Sequence, residues 1–136
     1  MTIDIVFALD AVEAIIVDGN PPQRAMLVFE LMENVAENGG IVAIPGTVFQ
    51  TLVGQGKEQR DRLLRLISDP DSIVVVPPLQ VTETLEIAEI AASHLITPDL
   101  AHALILARDS GAGLATFDTQ TAEAVGLIQP DQIFEI

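Results

Sequence analysis

Short apolar runs alternate with stretches of helical periodicity from one end of the chain to the other. That alternation decides the fold class. A strand that reaches the next strand through a helix has to cross over, which favours parallel pairing and leaves both faces of the sheet covered. The apolar segment Ile3 to Leu9 reads as a buried strand. Asp10 and Glu13 then open a short helix to about Val17 as a D-x-x-E capping box. After the turn Asp18-Gly19-Asn20-Pro21-Pro22, residues Gln23 to Glu37 carry Met26, Leu27, Leu31 and Val35 at helical spacing, and Asn38-Gly39-Gly40 ends that helix. Ile41 to Ile44 is the second strand, Pro45 begins a helix stopped near Gly54, and Lys57 to Ser68 is a further helix with Leu63, Leu64 and Ile67 inward. Ser72 to Val76 is the third strand and Thr82 to Leu95 a helix whose apolar side holds Leu85, Ala88, Ala92 and Leu95. Thr97-Pro98 starts the next helix, Asp99 to Ser110, apolar nearly all round and therefore central. Gly113 to Phe117 is the fourth strand, Asp118 to Val125 a short helix, and Gln132 to Glu135 a last edge strand. The expected architecture is one three-layer α/β/α domain over residues 1–136, with a mainly parallel sheet of four to five strands.

Composition narrows the function classes. At 136 residues, nearly half of them apolar, the chain can bury roughly 68% of its unfolded surface. No apolar run approaches the length of a membrane span, and Met1-Thr2-Ile3-Asp4 lacks the basic start of a secretory signal. With no cysteine, disulfides, thiolate metal sites and cysteine nucleophiles are out; a cytoplasmic location is expected. Against a formal charge of −14, the six basic residues are unevenly placed. Lys57, Arg60, Arg62 and Arg65 fall in one helical segment and form a candidate phosphate-contacting patch, with Glu58 and Asp61 available for local ion pairs instead.

Three aspartates stand where an apolar segment gives way to a helix: Asp10, Asp99 and Asp118. In a parallel α/β sheet such junctions gather along one edge. Each aspartate alone is a helix cap or a macrodipole partner; gathered together, their carboxylates repel unless a cation or a shared proton relieves them. A divalent-metal site and metal-assisted phosphodiester hydrolysis are the chemistry this predicts. No G-x-S-x-G elbow, H-E-x-x-H pair or Walker lysine is present. A phosphorylatable-aspartate receiver would need a lysine at a strand end, and the only lysine, Lys57, lies in a helix.

The pieces Ile5-Val6-Phe7-Ala8-Leu9-Asp10, Ile44-Pro45 before a helix, Thr97-Pro98-Asp99-Leu100-Ala101-His102-Ala103-Leu104, and Gly113-Leu114-Ala115-Thr116-Phe117-Asp118 together resemble the PIN domain family over nearly the whole chain. The length and short loops look like its VapC-type ribonuclease toxins. The resemblance implies a nuclease acting on RNA with Mg²⁺ or Mn²⁺, an antitoxin protein as partner, and a homodimer. Asp10 matches the first family acid, Asp99 the third and Asp118 the fourth; Thr116 matches the small hydroxyl residue two before the last acid. Five residues after Pro45, where the second acid belongs, stands Gln50. It can offer an amide oxygen but neither a charge nor a base. Ala11-Val12 also replaces the usual hydroxyl or amide after the first acid. These departures motivate a second reading, a catalytically impaired PIN-fold module that acts through protein or RNA binding. Glu13 could supply a compensating carboxylate, although its place in a capping box accounts for it as well. His102 is expected to be a hydrogen-bonded structural histidine, and His94 to complement the carbonyls ending its helix. All five phenylalanines read as core or strand residues.

Overall fold

The structure, a computed structural model, describes residues 2–136. Its sheet has five strands, β1 (Ile5–Phe7), β2 (Val42–Ala43), β3 (Val74–Val75), β4 (Gly113–Thr116) and β5 (Ile133–Glu135). All are parallel, in the order β3-β2-β1-β4-β5. Seven helices connect them: α1 (Leu9–Ile16), α2 (Pro22–Glu37), α3 (Gly46–Val53), α4 (Lys57–Ser68), α5 (Val81–His94), α6 (Pro98–Ser110) and α7 (Thr119–Val125). The three-layer α/β/α architecture expected from the alternation is the one observed.

Strand period 2 divides the core. Ile5 and Phe7 of β1 face one layer with Val12, Ile16, Val28, Val48, Leu52 and Leu63, contributed by α1 to α4. Val6 faces the other with Ala103, Leu104 and Ala107 of α6 and Ala122 of α7. Helix α6 is buried without interruption from Ala101 to Ala107, as its all-round apolar pattern requires. Helix α5 packs on the outside of α6 through Ile87, against Ala101 and Ile105.

Because β1 is flanked by β2 on one side and β4 on the other, the chain order reverses at its C-terminal end, where a crevice opens. At the opposite, N-terminal end of β4, Gly113 lets β5 close against that strand: a Cβ at this position would run into the Phe134 ring.

Several local expectations need correction. Strand β1 is shorter than Ile3 to Leu9, because Leu9 and Asp10 already belong to the first turn of α1. Asp10 therefore lies inside the helix. The N-cap is Ala8, without a side-chain bond, and no Asp10–Glu13 capping box forms. Met26, Leu27 and Leu64 are exposed rather than inward, as are Leu85 and Leu95; α2 buries only Val28 fully and α5 only Ile87. Phe29, on α2 and 52% exposed, is neither a core nor a strand residue, whereas Phe134 is a strand residue of β5, about half exposed. Among the described residues no single helix is long and apolar enough to cross a membrane.

Candidate active site at the ends of β1 and β4

Asp10 reaches from the first turn of α1 to the end of β4. Its Oδ2 accepts hydrogen bonds from the Thr116 hydroxyl at 2.9 Å and from the Phe117 backbone N–H at 2.9 Å. Its Oδ1 is buried and has no hydrogen-bond partner among the described residues, where it is the one such side-chain atom. A buried carboxylate oxygen without a donor is costly, and a cation or a proton relieves it.

Thr116 is 2% exposed and ties the two acids together. Its hydroxyl donates to Asp10, and the same oxygen accepts from the Asp118 N–H at 3.1 Å. Asp118 caps α7, as its position after β4 predicted: Oδ1 accepts from the Thr121 N–H at 3.2 Å and Oδ2 from the Thr121 hydroxyl at 2.6 Å. Those bonds favour the ionised carboxylate and hold its pKa below the ordinary value. Asp10, Glu13, Thr116, Asp118 and Thr121 line a cleft of about 360 Å³ together with Leu9, Leu95, Ile96 and Leu100. One helical turn beyond Asp10, Glu13 also accepts from Gln55 Nε2 at 3.4 Å.

Asp99 is held elsewhere. Thr97 caps α6 by accepting from the Leu100 N–H, which places Asp99 in the first turn, but its Oδ2 accepts from the Thr51 hydroxyl at 2.8 Å. Burial pushes its pKa up, against the Thr51 bond and the His102 ring, which pull it down. The structure brings two of the three aspartates into one cleft and holds the carboxylate of the third on Thr51. Asp10 and Asp118 share the cleft and Asp99 is not among its lining residues. No group of three His, Asp or Glu side chains able to hold a metal ion stands among the described residues. The cause lies in α3, whose Val48 and Leu52 enter the core and so turn Thr47 and Thr51 toward α6. Gln50, exposed on the same helix, offers nothing to the cleft.

The pair below Asp99 repeats the pattern. His102, 2% exposed, faces the Thr47 hydroxyl and N–H through Nδ1, at 3.0 and 3.4 Å. Its Nε2 lies 3.8 Å from Glu83. An N–H pointing at Nδ1 makes that nitrogen the acceptor and puts the proton on Nε2. Burial lowers the His102 pKa, with Glu83 and Asp99 opposing. The structural role expected of His102 matches this setting, and Thr47, Thr51 and Glu83 are partners the sequence reading missed.

Of the basic segment, only Arg62 is tied to another element of the fold among the described residues. Arg62 donates to the Ile16 carbonyl at 2.9 Å and to both oxygens of Asp18 at 3.1 and 3.3 Å, and pairs with Glu58. Arg60 lies 3.7 Å from Asp61. Lys57 and Arg65 are exposed, with no ion pair among the described residues. A cation that went unremarked in the sequence, Arg24 of α2, stands 4.5 Å over the Phe117 ring.

Five parallel strands, seven helices and a crevice at the chain reversal define a PIN-like α/β fold, the class implied by the sequence signature. Two solved structures share it. FitAcB from Neisseria gonorrhoeae superposes with a TM-score of 0.57 at 14% identity, over 96% of each chain. PAE2754 from Pyrobaculum aerophilum superposes with a TM-score of 0.51 at 17% identity, over 92% of this chain and 87% of that one. Identities this low establish likeness of fold alone. No protein-family model and no curated protein matches the chain.

Proposed function

We propose that the chain is a PIN-type endoribonuclease that uses Mg²⁺ or Mn²⁺ to hydrolyse RNA phosphodiester bonds at the cleft between β1 and β4. The observation that carries this reading is the buried, unpartnered Oδ1 of Asp10, in a cleft that also presents the ionised Asp118. Small hard cations are held by one or two carboxylates with water completing the shell, so the two acids present fit such an ion. When bound, it supplies a water of lowered pKa and neutralises charge on the phosphate. Asp10 and Asp118 would hold the ion, and Thr116 fixes both by its two bonds. Asp99 is assigned the third acid on the family resemblance, and it would give up Thr51 to reach the cleft. Arg24, Lys57, Arg60 and Arg65 are the cations left to meet neighbouring phosphates, since Arg62 is engaged in the fold and the pair of Arg60 with Asp61 is exposed. Gln50, exposed and neutral, carries no step.

An antitoxin and a second copy of the chain are the protein partners this reading implies, in the cytoplasm. Exposed Met26, Leu27 and Phe29 on α2, and Leu79, Val81 and Leu85 at the start of α5, are apolar surfaces suited to such partners. A second reading, a PIN-fold binding module without catalysis, is favoured by one observation: Asp99 is turned onto Thr51 and Gln50 adds no charge.

The deciding experiment incubates the protein with single-stranded RNA and Mn²⁺, beside Asp10→Asn and Asp99→Asn variants. Metal-dependent cleavage that both substitutions abolish is expected. RNA that survives the native protein turns the choice to the binding module, and cleavage that persists in Asp10→Asn rejects the site.

A further inference from the structure

Leu95 ends α5 in the left-handed conformation, at φ 55° and ψ 44°. It is the one non-glycine residue with positive φ among the described residues. The same C-cap position is filled by glycine after α6 and after α7, Gly111 and Gly126. At Leu95 the backbone needs only what glycine provides without strain, an N–H returned to the Ala91 carbonyl. Nor does burial compensate, since the side chain is 92% exposed. A strained conformation that packing does not repay points toward a site of function.

The place of that side chain says which function. Leu95 lines the same cleft as Asp10, Thr116 and Asp118, with Leu9, Ile96 and Leu100. The cleft therefore has a carboxylate wall and an aliphatic wall within one space of about 360 Å³. A ligand that satisfies both has to present, a few ångströms apart, a group bound through a cation and a flat apolar face. A nucleotide joins the two covalently. Resting on the nuclease reading and extending it to substrate recognition, we propose that Leu95 is a specificity-determining residue. It seats the base of the nucleotide whose phosphate faces Asp10 and Asp118.

The test measures binding by the native chain with Ca²⁺ in place of Mg²⁺, an ion held by the same carboxylate oxygens but poor at activating bound water, so that RNA survives. Two labelled probes are compared by fluorescence anisotropy: an eight-nucleotide uridine oligomer and the same sugar–phosphate chain without bases. Leu95→Gly is expected to melt no lower than its parent, yet to bind the uridine oligomer about fivefold more weakly and the abasic chain equally well. Leu95→Asn, which also tolerates the left-handed backbone, should show the same selective loss, and Leu95→Met should keep the parent affinity. Unchanged uridine binding by Leu95→Gly, equal losses on both probes, or a clearly lower melting temperature each overturn the inference while the nuclease reading stands. Failure of the parent to bind either probe removes both.

Discussion

Thr116 holds one end of the candidate site through a single hydroxyl, donating to Asp10 and accepting from the Asp118 N–H. Thr116→Val keeps the β-branched shape and removes both bonds, leaving Asp10 Oδ2 with the Phe117 N–H alone. The expected cost is about 1–3 kcal/mol in stability, with weaker Mn²⁺ binding; Thr116→Ser should recover most of both. Denaturant titration and calorimetry measure the two effects. His102 gives a pH signature of opposite origin. Burial lowers its pKa from 6.5, so the folded state resists a proton that the unfolded chain accepts. Its contribution is complete above pH 6.5 and is lost as pH falls from there toward the folded value. Replacing it by Asn should flatten the pH dependence of the denaturation midpoint in that window. The sequence made Asp10 and Asp118 legible because strand ends and helix starts are local signals, whereas Thr116 was marked only by the family resemblance. The sequence hid the Thr51–Asp99 and Thr47–His102 bonds, which depend on how α3 is rotated against α6.

Among the elements, legibility followed burial. Helix α6 is enclosed on every side, and its pattern could be read no other way. Helix α2 has 16 residues but only Val28 fully buried, so periodic apolar residues such as Met26 and Leu27 lie on a face the sheet never reaches. Helix α4 looked like a basic surface, and its central arginine instead fastens it to the end of α1 through the Ile16 carbonyl and Asp18. The contact between β4 and β5 offers a test at this scale. Gly113→Ala places a methyl group against the Phe134 ring and should cost about 1–3 kcal/mol by overpacking. In combination with Phe134→Ala the two changes should couple, the glycine substitution becoming nearly harmless once the ring is gone. A double-mutant cycle in urea reads that coupling.

The whole molecule carries a formal charge of −14 with six basic residues, three of them, Arg60, Arg62 and Arg108, in ion pairs. Long-range attraction for nucleic acid is therefore weak. Any RNA association should fall with salt at a log–log slope of about −2, the value for roughly three phosphate contacts on a single strand. It should also require a divalent ion, because the cleft itself is acidic. Anisotropy titrations over a range of KCl, with and without EDTA, check both; a steep slope would point to a basic surface the fold does not present.

The pairing of Ile5 with Gly113 has a consequence for how the chain is made. The first strand forms the middle of the sheet, yet one of its two neighbours is synthesised more than a hundred residues later. A growing polypeptide thus holds its most apolar ribbon half-zipped until the final fifth leaves the ribosome. Competence arrives in one late step, and a prematurely terminated product lacks both the fourth strand and the acid at its tip.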